Sequence, residues 1–378
     1  MSHYKKYAVT GCVAMTLALG LSATSAHAAC ATVDAPPTAM VPAGDVLRAG
    51  HLGREIGDTQ PLIHFYSDLI GLELIGARTA PRPFFMAKGL QVFAELGEDD
   101  DVYKSSSRVA LLPIPGTAAT AGAADKMTIE AIEIKGVKSA PYHPALNDPG
   151  ASYLKLEVRD LDKTLALLKG EWAPIITAGG APVELSGWPG MTGSIRAVMV
   201  KDTDGYPVEL VQVTPAPAST APADSKVLGT RVAVVVDNLE ASCKFYQDLA
   251  GSELKFWVSP LMGTQADAKL TDVPGQFRIA QAMVPGSPVV LELIEYQNHN
   301  HHFKRGFIQD PGTAHFLFMV KDTDTIVERV HAMQAHTLSR ANDATFISPT
   351  VRSMFVPDPQ GFWLEFMDHD VKRDPNAK

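Results

Sequence analysis

Cysteine is nearly missing from this 378-residue chain, which has 3: Cys12, Cys30 and Cys243. So few thiols exclude a disulfide framework and a cysteine metal site. Cys243 falls in an amphipathic stretch and reads as a buried thiol. An excess of basic charge is missing too. Lys and Arg number 33 against 42 Asp and Glu, for a net charge of −9. No basic stripe appears, which excludes a nucleic-acid surface. There is no Ser-His-Asp arrangement and no dinucleotide fingerprint. Gly179-Gly180 lacks the strand-to-helix setting and the lysine of a phosphate loop. No apolar run is long enough for a membrane span.

The longest apolar run, Ala8 to Leu21, has another reading. Lys5 and Lys6 precede it, and Ala26-His27-Ala28 follows as a small-x-small cleavage site. Residues 1–28 are therefore expected to be an export signal, placing the protein in the periplasm or outside the cell. Lipid attachment at Cys30 is the lesser alternative, because such processing favours Leu where His27 stands. Removal of the signal leaves 378 − 28 = 350 residues. That length is more than one core and implies two domains.

A short pattern repeats along the remainder. His51 precedes the pair Phe65-Tyr66, and Arg231 precedes Phe245-Tyr246, with the same separation (65 − 51 = 245 − 231 = 14). Gly71 and Gly251 follow. Two other segments share an ending, Asp202-Thr-Asp-Gly205 before Glu209 and Asp358-Pro-Gln-Gly361 before Glu365, with equal spacing (209 − 205 = 365 − 361 = 4). Strand-period alternation marks Tyr153–Asp160, and helical periodicity marks Leu161–Lys169, Leu239–Leu249 and Thr325–Ala335. The proline-dense stretch Thr214–Ala223 reads as a semi-rigid linker. The expected organisation is a first domain over 45–215, with units 46–135 and 150–215, a linker over 216–225, and a second domain over 226–370, with units 226–298 and 311–370. Each unit is β-α-β-β-β, so the fold class is α+β.

These units resemble the vicinal oxygen chelate superfamily, which includes glyoxalase I, bleomycin-resistance proteins and extradiol dioxygenases. The resemblance rests on the opening strands, the Phe-Tyr-x-Asp-Leu-x-Gly helix ends and the Asp-x-x-Gly-x-x-x-Glu endings. It implies that units pair into open barrels, each around one cavity. It also implies that a metal is held by residues on the first and last strands of paired units. Carried onto this sequence, the site positions are His51, Glu130, Tyr153 and Glu209 in the first domain, and Arg231, Glu292, His315 and Glu365 in the second. Each half then offers one imidazole and two carboxylates.

One nitrogen and two oxygens suit a divalent ion such as Zn, Mn, Fe, Ni or Co. The metal-ligand candidates are therefore His51, Glu130, Glu209, Glu292, His315 and Glu365. Tyr153, Glu209 and Glu365 are the catalytic candidates, and Arg231 is the candidate grip on a substrate carboxylate. Tyr tolerates a nearby cation better than Arg, which favours the first domain as the metal site. Glu133 and Glu295 lie three residues beyond Glu130 and Glu292, on the opposite strand face. The tract Asn298–His302 and the run Glu98–Asp101 read as solvated loops.

The expected activity is that of a metal-dependent lyase or isomerase on a small oxygenated organic substrate. The alternative is a non-catalytic small-molecule binder of the bleomycin-resistance type, which Tyr153 and Arg231 favour. Extradiol-type oxygenation ranks third, since neither half as drawn contains two histidines with one carboxylate.

Overall fold

The computed structural model describes residues 30, 32–76, 82–83, 106–171, 173–297, 305–339, 341–348 and 350–369. Residues 1–28, expected to be an export signal, the acidic run Glu98–Asp101 and the tract Asn298–His302 lie outside these residues.

Unit one consists of β1 (Val46–Ile56), α1 (Thr59–Ile63) and its π-helical continuation (His64–Ile70), β2 (Arg82–Pro83), β3 (Ser106–Pro113) and β4 (Thr128–Lys135). Unit two follows with β5 (Ser152–Val158), α2 (Leu161–Gly170), β6 (Val183–Leu185), β7 (Ser194–Lys201) and β8 (Pro207–Thr214). Unit three has β9 (Val227–Val235), α3 (Leu239–Ala250), β10 (Trp257–Val258), α4 (Gln265–Thr271), β11 (Phe277–Met283) and β12 (Val290–Tyr296). Unit four closes the chain with β13 (Ala314–Val320), α5 (Thr323–Ala332), β14 (Thr345–Ser348), β15 (Val351–Pro357) and β16 (Trp363–His369).

The strands form two eight-stranded sheets, ordered β14-β15-β16-β13-β1-β4-β3-β2 and β10-β11-β12-β9-β5-β8-β7-β6. Unit one thus shares a sheet with unit four, and unit two with unit three. This corrects the expected domains: a division at the linker into 45–215 and 226–370 cuts across both sheets. The joins are antiparallel first strands, β1 on β13 and β5 on β9. The linker joins the two units of one sheet instead of separating two domains.

Each sheet has an inner face and a face covered by helices, because side chains alternate along a strand. The helix faces of both sheets share one apolar core, in which Leu52, Ile129, Leu154, Leu210, Val232, Leu291, Phe316 and Phe366 are all buried. Burial of that stripe from every strand is the main stabilising term.

Two polar devices repeat over this core. Helix N-termini leave backbone N–H groups unpaired. In every unit a last-strand side chain accepts one of them: Glu133 from Thr59, Gln212 from Leu161, Glu295 from Leu239 and Asp368 from Thr323, at 3.2, 2.9, 2.7 and 2.8 Å. Each acceptor lies three residues after a candidate glutamate (133 − 130 = 212 − 209 = 295 − 292 = 368 − 365 = 3). The odd step turns the acceptor to the helices and the glutamate to the inner face.

The second device ties sequence-adjacent units together. Tyr66 donates to Asp202 at 3.1 Å, and Tyr246 donates to Asp358 at 3.0 Å. The same aspartates accept backbone N–H groups in their own turns, from Asp204 and Tyr206 and from Gln360 and Phe362. The Phe-Tyr and Asp-x-x-Gly patterns are therefore two halves of one contact. Arg54 reinforces the first copy, with Nη1 2.7 Å from Asp202 and the guanidinium 3.5 Å above the Tyr206 ring.

The N-terminal arm docks on unit three through a parallel bridge, Thr32 to Phe256. Cys30 reaches Cys243 there, and the two thiols share a hydrogen bond.

Candidate metal centre

β1 and β13 run side by side at the middle of the first sheet, with Gly53 opposite His315. β4 and β16 flank them in parallel. This arrangement brings the inner-face residues of four strands together: His51 from β1, Glu130 from β4, His315 from β13 and Glu365 from β16.

His51 Nε2 lies 3.1 Å from His315 Nε2 and 2.9 Å from Glu365 Oε2. His315 Nε2 is 3.4 Å from the same oxygen, and His51 Nδ1 is 3.1 Å from Glu130 Oε2. Ser353 donates to the other oxygen of Glu365 and fixes its plane. Glu130 is the most open of the four, its side chain 21 % exposed against 4 % for Glu365.

Gly53 makes room for this cluster. A Cβ at position 53 would lie 1.9 Å from Cε1 of His315. The imidazole lies across β1 where a side chain would otherwise stand, edge-on to Phe355 at 5.1 Å between centroids.

Charge around the histidines is negative. Burial alone would lower the His315 pKa, yet Glu55, 3.6 Å from Nδ1, and Glu365 carry it up to about 10. Burial would raise Glu365, but hydrogen bonds from His315 and His51 hold it well below the ordinary carboxylate range. Two imidazoles facing each other nitrogen to nitrogen, with carboxylates beside them, form a donor set that a divalent cation satisfies. His51, Glu130 and His315 each place one ligand atom within 4.8 Å of the others. The residues present therefore fit a metal ion.

The other candidates gather on the second sheet. Tyr153 and Lys155 on β5, Glu209 on β8, Arg231 on β9 and Glu292 on β12 share its inner face. Here Lys155 Nζ occupies the middle, 2.7 Å from Glu292 and 3.3 Å from Glu209. Its ammonium also stands 4.4 Å above the Trp188 ring. Arg231 Nη1 reaches Glu292 at 3.3 Å, and Gln281 donates to the same oxygen at 2.8 Å. Burial alone would raise Glu292, but Lys155 and Arg231 bring it below its ordinary value. Burial raises Glu209, and Lys155 offsets this only in part. Tyr153 is buried beside Trp188, Phe277 and Tyr296.

The eight positions read from the sequence thus segregate by sheet, four to each, but not by half of the chain. His51 and Glu130 meet His315 and Glu365. Tyr153 and Glu209 meet Arg231 and Glu292. The expectation of one imidazole in each site, and of the first domain as the metal site, is corrected: both imidazoles stand in one cluster. Lys155 was missed. Its signal was a lysine two residues after Tyr153 on an alternating strand, hence on the same inner face.

Residues 230–366 match the pattern of the Glyoxalase/Bleomycin resistance protein/Dioxygenase superfamily. No curated protein matches the sequence. Glyoxalase I from Zea mays is similar in structure, at 17 % identity and a TM-score of 0.53 over 85 % of this chain and 92 % of that one. A point variant of the maize enzyme gives 18 % and 0.54 over 85 % and 93 %. A putative dioxygenase from Bacillus subtilis gives 12 % and 0.49 over 88 % and 89 %. The third and fourth units thus carry the sequence pattern of this superfamily, and the tandem units fold as those of maize glyoxalase I do.

Proposed function

We propose that this protein is an exported metal-dependent enzyme with one working centre, built by units one and four. It acts as a lyase or isomerase on a small organic molecule bearing neighbouring oxygens. One observation carries this reading: His51, His315 and Glu365 converge within 3.4 Å, with Glu130 against His51.

His51, His315 and Glu365 would hold the ion, which leaves Glu130 free of it. A divalent ion bound there supplies Lewis acidity toward a substrate carbonyl or hydroxyl. The chain's own residues do the rest. Glu130 orients His51 through Nδ1, and Glu55 faces Nδ1 of His315. Glu130, the most open carboxylate of the cluster, takes a proton from a carbon beside the carbonyl and returns it to the neighbouring position. Phe355 and the buried strands exclude water from the histidine side.

The test is proton exchange. A panel of α-hydroxy carbonyl compounds is incubated with the protein and a divalent ion in deuterated water, and carbon-bound deuterium is read by NMR. Ion-dependent incorporation that is lost in Glu130→Gln supports the proposal. Bound metal without exchange on any compound removes it.

A second reading has an observation of its own. Two histidines and one carboxylate, His51, His315 and Glu365, are a set used by iron oxygenases. Oxygen uptake on catechols by the iron-loaded protein, without deuterium exchange, would favour that reading.

A further inference from the structure

The inner face of the second sheet is only half filled. Tyr153, Trp188, Phe277 and Tyr296 pack one end. The other end opens into a cavity of about 520 Å³. Lys155, Glu157 and Arg231 line it from the central strands. The linker, at Pro217–Thr220, and the N-terminal arm, at Pro37 and Thr38, form part of its wall. Ser219 is anchored to the Leu228 carbonyl and Thr220 to the Ala118 carbonyl. A proline-dense segment held in this way encloses a volume that a small organic molecule would fill.

The charged groups differ in access. The side chains of Lys155, Glu209 and Glu292 are 2 % exposed or less, and that of Arg231 is 15 %. Arg231 makes only long contacts, 3.3 Å to Glu292 and 3.4 Å to the Gly190 carbonyl. Its fork and the partly buried Glu157 are the charged groups an entering ligand meets. Against its burial, Lys155 and Arg231 hold Glu292 below its ordinary value. Burial pushes Glu209 and Glu157 up toward their neutral forms. The Arg231 guanidinium faces a cavity whose other walls include Met191, Val211 and Met283.

We infer that this cavity is a second, metal-free binding site for a small organic carboxylate, its carboxylate on Arg231 and its apolar body against Met191, Val211 and Met283. A planar guanidinium grips a carboxylate with two parallel hydrogen bonds, which a neutral amide cannot match. Lys155 fills the position between the two sheet carboxylates, where a cation is required in any case, and frees the cup from metal. The inference stands apart from the chemistry at His51 and His315.

Matched pairs test it by calorimetry: benzoate with benzamide, phenylacetate with phenylacetamide, and hexanoate with hexanamide. At least one acid is expected to bind at least tenfold more tightly than its amide. Arg231→Gln is expected to weaken that acid at least tenfold, and Met191→Trp, which fills the cavity without touching a charge, to abolish binding. His315→Ala should leave binding unchanged, which separates this site from the histidine cluster. Arg231→Lys, which keeps the charge, guards against a folding defect and should recover part of the affinity. Equal binding of acids and amides, no binding of any acid, or acid binding indifferent to both Arg231→Gln and Met191→Trp would overturn the inference.

Discussion

At the scale of single residues, space and charge decide what the two sheets can do. Gly53 is the clearest case of space. With any Cβ there, the His315 ring must leave a position hemmed by Phe355 and by Glu55 and Glu365. Gly53→Ala is expected to keep the fold and to weaken metal binding at least tenfold, read by competition with a metal-binding dye. Unchanged affinity would show that the ring is not held by this contact. Arg54 is the clearest case of charge. It and Asp202 are both fully buried. Removal of one partner from such a pair costs about 3–5 kcal/mol, because the other charge remains without water. Arg54→Met is expected to lower unfolding stability by that order in denaturant titration, while Arg54→Met with Asp202→Asn recovers part of it. Arg54 was not legible in the sequence. It lies three residues after His51 (54 − 51 = 3), on the opposite strand face, and nothing local announces its partner 148 residues away.

At the scale of elements, the four units are the same design with different fittings. The first strands, the helix after each and the Asp-x-x-Gly turns were legible, because period, proline and glycine act over a few residues, whereas α4 (Gln265–Thr271) was not read. Gly71 illustrates this: its φ of 96° ends the helix of unit one in the left-handed region. The π-helical stretch His64–Ile70 was not legible, since its spacing matches an ordinary helix. The two turn aspartates differ in a way that pH should expose. Asp202 has Arg54 beside it, whereas the position matching Arg54 in unit three is Val234. Burial pushes Asp358 up to about 7, against hydrogen bonds from Phe362, Tyr246, Gln360 and Gly361 that pull it down. A folded-state value above the unfolded one of 3.8 means that its contribution is present at low pH and is lost as pH rises toward 7. The loss is a few kcal/mol, at about 1.4 kcal/mol per pH unit of displacement. Thermal unfolding between pH 4 and pH 8 should therefore fall more steeply in the wild type than in Asp358→Asn. Parallel profiles would show that Asp358 does not titrate in this range.

At the scale of the whole molecule, the pairing of units sets the number of candidate metal centres. Pairing neighbours along the chain would give two sites, each with one histidine. Pairing one with four and two with three gives a site with both histidines and a site with none. The sequence identified the eight inward positions, because alternation and repeat spacing are local. It did not identify the pairing, because every first strand carries the same edge signal and the choice between edges is made by contacts such as β1 on β13, more than 250 residues apart. The shared core between the helix faces then fixes the nested order, through Tyr66 with Asp202 and Tyr246 with Asp358. Elemental analysis of the purified protein and its variants tests this account most directly. It predicts about one divalent ion per chain, lost in His51→Ala and in His315→Ala and retained in Glu209→Gln and Arg231→Gln. Two ions per chain, or one that follows Glu209 instead of His315, would contradict it.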